Sequence, residues 1–361
     1  MAIINEKAAF LLEGMVLEGG WKVVKKYERT SFQTGGIYSC CYEVINEDGT
    51  KGFLKAFDYS DANKSSDQRP AELIRNITNA YEYERKILLK CSENGLNNVI
   101  RYLDAGGIEV EQNIKYPRVE YLILEHADEG DIRVSLKKGN GSSVAWKLRS
   151  LHQIAKSVSQ LHRLLIAHQD IKPSNVVTFN YSKTKLTDLG SAVSEIPIQS
   201  ELPKYLEDDY CGSYEYSPPE LLYGYKINDF TYRRIACDLY LLGNMVVFYF
   251  LDVSMNFLLK SNLDSSLCWE KPVNYKKYEY VKPYLIEAFE KSMEDLRKSI
   301  VQEDLKDPIE EVVRFLCNPD PLNRGHIKNI NQKFGRLGLS RFVTKFDVLA
   351  KKYELEEGIK Y

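Results

Sequence analysis

The segment HQDIKPSNVV, residues 168 to 177, sets His168, Asp170, Lys172 and Asn175 between an apolar helix-like run and an apolar pair, where a core segment would be expected. A carboxylate, an ammonium and an amide in one short loop are costly to hold unless they act on something charged. Phosphoryl transfer has that need: a carboxylate to accept a hydroxyl proton, a cation on the moving phosphoryl group, and oxygen ligands for magnesium. Asp170, Lys172 and Asn175 offer one of each. A second carboxylate suited to holding the metal, Asp188, follows 18 residues later in TKLTDLGSAV. Taken singly, Asp170, Asn175 and Asp188 read as readily as turn or capping residues; their company is what points to chemistry.

Stepping outward, residues 21 to 57 read as a meander of strands, WKVVKKYER, YSCCYEVI and GFLKAF, with the Asp-Gly pair of NEDGT as a hairpin signal. PAELIRNITNAYEYERKILLKC, Pro70 to Cys91, has the period of an amphipathic helix with Pro at a permissible first-turn position. VIRYLDAGGIEV and VEYLILEHA read as two more strands. A hinge falls near Glu125 to Glu129. The segment SSVAWKLRSLHQIAKSVSQLHRLL then places Leu151, Ile154, Val158, Leu161 and Leu165 on one helical face. Beyond Ser217 the pattern is mostly helical. These elements predict an α+β chain in two parts: residues 1–126, a small antiparallel sheet with one long helix, and residues 127–361, larger and mainly helical. The apolar run LYLLGNMVVFYFL, 239 to 251, is 13 residues, short of the roughly 20 needed to span a bilayer, and reads as a core helix. SDANKSSDQ reads as a solvated loop, and the tail KKYELEEGIKY as a solvated helix end.

Of the 361 residues, 44% are hydrophobic and 28% charged, as in ordinary globular enzymes, and the formal net charge of -2 gives no electrostatic support for nucleic-acid binding. Seven cysteines, odd in number and without a CxxC pair, read as reduced thiols. Glu6 and Lys7 interrupt what would be the apolar core of a signal peptide in MAIINEKAAFLLEG, so a cytoplasmic location is expected. No cysteine and histidine spacing suggests zinc.

The chain resembles the eukaryotic-type (Hanks-type) Ser/Thr protein kinase family over residues 20 to 330. HQDIKPSN resembles that family's H-R-D-x-K-x-x-N catalytic loop and DLG its D-F-G metal motif. Lys55 in GFLKAF resembles the strand lysine, and Glu84 in YERKILL, rather than Glu82, its helix partner. YSPPEL resembles A-P-E and places its glutamate at Glu220; ACDLYLLG resembles the D-x-W-x-x-G of the central helix, with Asp238; NPDPLNRG supplies the late arginine, Arg324, which in the family pairs with that glutamate. Each motif alone is weak, but they occur in the family's order.

The resemblance implies a bilobal protein-kinase-like fold that uses ATP and magnesium (Mg2+) to phosphorylate protein substrates presented to the C-lobe. It implies Asp170 as the base, Lys172 on the γ-phosphate, Asn175 and Asp188 on the metal, Lys55 held by Glu84 on the α- and β-phosphates, and the backbone at Glu125 and Ala127 on adenine, with Leu124 as gatekeeper. Ser213 stands where the family's Thr contacts the catalytic Asp. No nucleic-acid or membrane partner is expected; the oligomeric state stays open.

Four departures accompany these matches, one of them the 29-residue spacing from Lys55 to Glu84, longer than the family's, which implies a loop insertion and an extended helix ahead of Glu84. In FQTGGIYSC the glycine-rich loop keeps Gly35, followed by Gly36 at the tip, but has Gln33 and Tyr38 for the outer glycines and Cys40 for the valine, there read as a small apolar filler. Phe53 stands where a small alanine usually faces adenine; pointing inward it obstructs the slot, unless a local shift of the strand turns it aside. Gln169 replaces the arginine that reads an activation-segment phosphate, so activity is expected not to depend on phosphorylation there. The departures keep a pseudokinase scaffold with weakened ATP binding as an alternative, and the HxD, Asn and Asp plan shared with aminoglycoside-type phosphotransferases keeps a small-molecule phosphotransferase.

Overall fold

The computed structural model describes residues 7–28, 39–60, 70–111, 114–138, 143–198, 202–203, 206, 212–270, 277–331 and 333–359. The chain divides into two compact units, Met1–Asp128 with Pro197–Glu207 and Glu129–Ile196 with Asp208–Tyr361.

The first unit contains strands β1 (Lys22–Lys26), β2 (Ser39–Ile45), β3 (Lys51–Phe57), β4 (Tyr102–Glu109) and β5 (Arg118–Glu125), and one long helix, α1 (Pro70–Glu93). The strands pair antiparallel in the order β1-β2-β3-β5-β4. The Asp-Gly turn closes the β2–β3 hairpin: Asp48 Oδ1 accepts from the Thr50 N–H at 2.8 Å, and Gly49 takes a φ of 86°, which costs an L side chain far more than glycine. Side chains alternate between the two faces of a strand. Cys40, Tyr42 and Val44 of β2, Leu54 and Ala56 of β3, and Val119, Tyr121 and Ile123 of β5 therefore share one core with Leu12, Leu17 and Trp21. Between them Gly52 leaves no room for a side chain, since a Cβ there would lie 2.8 Å from Ile123 and 2.9 Å from Val44. The opposite face carries Cys41, Lys55 and Leu122 in one cross-strand row and Glu43, Phe53 and Leu124 in the next. Cys40 is thus the apolar core filler, and Cys41 is the cysteine that shares a face with Lys55.

Helix α1 begins at Pro70, where a missing N–H leaves no helical bond unmade, and buries Leu73, Ile77, Tyr81, Glu84, Ile87, Leu88 and Cys91 at three- and four-residue intervals. Each fully buried aliphatic of this stripe contributes about 1.5–3 kcal/mol relative to exposure. The one polar member of the stripe is Glu84.

The second unit is mainly helical. It contains α2 (Ile132–Lys137), α3 (Val144–Arg163), α4 (Pro219–Leu222), α5 (Ala236–Leu251), α6 (Met255–Asn262), α7 (Tyr278–Ser299), α8 (Glu303–Leu316) and α9 (Ser340–Glu356). Two short strand pairs join them: β6 (Ile166–Ala167) with β9 (Val193–Ser194), and β7 (Val176–Phe179) with β8 (Lys183–Leu186). Ser143 caps α3, its Oγ accepting from the Trp146 N–H at 3.0 Å, and Leu148, Leu151, Ile154, Val158 and Leu161 face inward. Leu165, placed on that face by periodicity, lies past the helix end with a φ of 58°.

Helix α5 is buried on every side, which marks a core helix. A π turn, Thr231–Ile235, continues it N-terminally, so the helical run is 21 residues, Thr231–Leu251, long and apolar enough to cross a membrane. The count of 13 apolar residues therefore understates its length. Burial of 89% of its most apolar window inside the protein is what identifies it as core.

Glu220 of α4 and Arg324 pair through two 2.6 Å bonds, with side chains 2% and 0% exposed. Arg324 also donates to the carbonyls of Asn318 and Ala236, so its charge is fully compensated by geometry. Helix α9 lies along α3. Arg149 donates to Asp347 at 2.7 Å and to Glu354 at 2.6 Å, Ser143 donates to Glu357, and Phe342, Phe346, Ala350 and Tyr353 are buried. The charged tail thus carries structural contacts on one side; it is not merely a solvated end.

Candidate active site

In the second unit, β6 leads into His168, Gln169 and Asp170, and a 3-10 turn, Pro173–Asn175, returns the chain to β7. The loop is held from α5 by Asp238, fully buried, whose Oδ2 accepts from the His168 N–H at 2.7 Å and whose Oδ1 accepts from the Gln169 N–H at 2.8 Å. His162 shares Oδ2 through Nε2 at 2.9 Å. His168 itself is a packed, hydrogen-bonded core residue. Its Nδ1 accepts from the Asp170 N–H at 3.3 Å, which leaves Nε2 to donate to the Thr187 carbonyl at 3.1 Å. The Thr187 N–H donates to the Asn175 carbonyl at 3.0 Å. Both bonds of Thr187 anchor the residue preceding Asp188 to the loop that carries Asp170 and Asn175.

Gln169 and Asp188 have φ values of 65° and 60°. Such backbone costs a non-glycine residue on the order of 1–3 kcal/mol and persists only where surrounding bonds over-determine it. Gln169 has those bonds: its Nε2 donates to the Arg234 carbonyl at 2.9 Å and to Asp238 Oδ1 at 3.1 Å, and its Oε1 accepts from Arg234 Nη1 at 3.2 Å.

Asp170 is buried and its two carboxylate oxygens differ. Oδ2 accepts from Asn175 Nδ2 at 2.8 Å and lies 2.9 Å from Lys172 Nζ. Oδ1 has no hydrogen-bond partner among the described residues. A buried, unpaired carboxylate oxygen is expensive, and a native protein keeps one chiefly where it has a task. Burial raises the Asp170 pKa above the ordinary carboxylate range, the Lys172 charge opposes that shift, and the Asp188 carboxylate adds to it. Gly212 lies against this group: a Cβ on it would overlap Asp170 Oδ1. Ser213 follows it, its carbonyl accepting the N–H groups of Tyr216 and Ser217. Glycine takes that place because only its backbone approaches closely enough. Gly212, one position before Ser213, is a neighbour of Asp170 that the sequence reading did not name.

Asn175 Nδ2 is committed to Asp170, to its carbonyl at 2.9 Å as well as to Oδ2, which turns the amide oxygen the other way. That oxygen and the Asp188 carboxylate are hard donors of the kind magnesium takes alongside phosphate oxygens, so the residues present fit such an ion.

In the first unit, Lys55 Nζ donates to both carboxylate oxygens of Glu84 at 2.9 Å, with side chains 12% and 3% exposed. Glu82 faces outward, where it pairs with Arg85 at 3.6 Å. Phe53 shares the face of Lys55, because the β2–β3–β5 register runs through it without a bulge; no local shift turns it aside. A second aromatic covers it. Tyr27 stacks on Phe53 with ring centroids 5.7 Å apart and an interplanar angle of 26°, and its hydroxyl meets His126 Nε2 at 2.8 Å. Burial, then the charge on Glu43, pushes the Tyr27 phenol up to about 12, and burial lowers the His126 pKa. Tyr27 and His126 carried no local signal, since their meeting depends on strands far apart in the chain. Leu124 is buried directly opposite Phe53. The Glu125 N–H is taken by the Arg101 carbonyl at 3.0 Å, and Ala127 is half-buried two residues on. Gly35 and Gly36, with Gln33 and Tyr38, lie outside the described residues.

The protein kinase domain family matches residues 33–333. An Aurora kinase of Debaryomyces hansenii is 29% identical over 127 residues, 32% of this chain and 30% of that relative. The serine/threonine-protein kinase chk-1 of Caenorhabditis briggsae is 27% identical over 212 residues, 57% of this chain and 40% of the relative. The serine/threonine-protein kinase PKH1 of Saccharomyces cerevisiae is 34% identical over 131 residues, 34% of this chain and 16% of the relative. The chain thus spans less than half the length of each.

Proposed function

The chain belongs to the protein kinase family, and on that premise we propose that it is an ATP- and magnesium-dependent kinase acting on serine and threonine hydroxyls of proteins. The observation that carries this reading is the buried Asp170, with Oδ2 committed to Asn175 and Lys172 and Oδ1 unpaired. Oδ1 accepts a hydrogen bond from the substrate hydroxyl, orients it and takes its proton as the new oxygen–phosphorus bond forms and the bond from the γ-phosphorus to the departing ADP breaks. Lys172, beside Asp170, sets a positive charge on the transferring group. Asn175 and Asp188 would hold magnesium, which when bound neutralises charge on the phosphates. Lys55, braced by both oxygens of Glu84, positions the α- and β-phosphates, and the backbone of Glu125 and Ala127 the adenine. Residues 1–126 form the nucleotide lobe in this reading and 127–361 the substrate lobe, and the protein works in the cytoplasm.

A pseudokinase scaffold is the second reading, and the Tyr27–Phe53 stack favours it, because it fills space on the face that carries Lys55. The test is incubation with labelled ATP and magnesium, with and without a generic protein substrate, beside Asp170→Asn. Label on protein, falling about 100-fold or more in the variant, is expected from loss of the general base. Nucleotide binding without transfer would favour the scaffold, and label on metabolites alone a small-molecule phosphotransferase.

A further inference from the structure

The geometry points to Arg234 as a positioning residue for phosphoryl transfer, holding Gln169 and through it the backbone that aims Asp170; this rests on the reading of Asp170 as the base. Gln169 immediately precedes Asp170, so its φ of 65° sets the direction in which the carboxylate leaves the loop. Its side-chain amide is matched to Arg234 reciprocally, giving an N–H to the Arg234 carbonyl at 2.9 Å and accepting from the Arg234 guanidinium at 3.2 Å. An amide can do both. An arginine at residue 169, the family's choice, has no acceptor and would set two guanidinium groups together. The neutral Gln169 and the buried Arg234 therefore form a complementary set, closed by Asp238 Oδ1, which takes both the Gln169 N–H at 2.8 Å and its Nε2 at 3.1 Å.

The backbone supports the same assignment. Arg234 sits in the π turn Thr231–Ile235 that opens onto α5, and single π turns in helices are frequently found at functional sites. Here Arg234 presents its carbonyl and its guanidinium to one partner. The latch is built from two residues of the folded chain, with no phosphate among its partners in the described contacts.

The test is steady-state kinetics of the full chain, treated with phosphatase, for Arg234→Met, Gln169→Met and their combination. Each single variant is expected to lose about tenfold to a hundredfold in kcat through misplacement of Asp170, with KM for ATP changed by less than about threefold. Because the two residues act as one unit, the double variant should be no worse than the poorer single one. Arg234→Lys, which keeps a donor, should recover part of the loss. Wild-type kcat in either single variant, or losses that simply multiply in the double, would overturn the assignment. If Arg234→Met does not fold, Gln169→Met, which leaves Arg234 in place, decides by the same criterion. If the wild type transfers no phosphate, the kinase reading fails separately, and hydrogen exchange over residues 165–171 decides the latch: faster exchange in the variants supports it, and unchanged protection overturns it.

Discussion

Asp170 keeps a buried carboxylate at the expense of stability. Its carboxyl is buried, and burial outweighs the charge of Lys172, so the folded-state pKa lies above the ordinary value. For a carboxylate with a raised pKa, the folded state binds more protons than the unfolded state between the two pKa values, so stability falls as pH rises from the ordinary pKa through the folded one. Asp170→Asn cannot ionise and escapes that loss. Its stability relative to wild type, from urea midpoints with unchanged slopes, is expected to increase from pH 4 to pH 7; a difference that stays constant with pH would contradict the assigned shift. Gly212 shows the same site from its other side, since a single Cβ there would overlap the oxygen that this reading reserves for substrate.

At the scale of elements, the first unit's sheet places Lys55 and Phe53 on one face, and β1 and the end of β5 together supply a cover for Phe53. The Tyr27 stack and its bond to His126 must yield wherever an adenine ring is to lie flat on that face. An aromatic pair is worth about 0.5–1.5 kcal/mol beyond its buried area, so Tyr27→Ala is expected to tighten ATP binding by up to about tenfold. Titration calorimetry checks this, and weaker binding in the variant would instead make Tyr27 part of the nucleotide platform. Helix α9 lies beyond the span that matches the protein kinase domain, yet Phe346 is fully buried on it. Phe346→Ala should destabilise the chain by about 3–5 kcal/mol through the cavity it leaves, whereas Lys351→Ala on the exposed side should stay within about 0.5 kcal/mol. Chemical denaturation distinguishes the two.

At the scale of the whole molecule, charge is resolved internally at several buried points: Glu220 with Arg324, Glu84 with Lys55, and Asp238 with the loop amides and His162. The neutral Gln169 has no charge to offer an activation-segment phosphate. Activity is accordingly expected to persist when Ser191, Ser194, Ser200, Tyr205 and Tyr210 are all replaced; Ser200, Tyr205 and Tyr210 lie outside the described residues. Phosphate release from ATP onto protein substrate measures this, and abolished activity would show that a phosphate is required.

Much of this was readable along the chain because the chemistry-bearing groups sit in short loops, where spacing in sequence is nearly spacing in space. HQDIKPSN presents Asp170, Lys172 and Asn175 within six positions, so their company is visible before any fold is known. The β2–β3 hairpin, α1 and α3 were equally legible, since turn chemistry and hydrophobic period are local properties. Packing alone decided the rest: which of Cys40 and Cys41 shares a face with Lys55, what covers Phe53, that Gly212 lies on Asp170, that Arg234 latches Gln169, and that the charged tail is anchored to α3. Each depends on register or on a contact between residues distant in the chain, and strand alternation makes a one-residue change of register reverse the outcome.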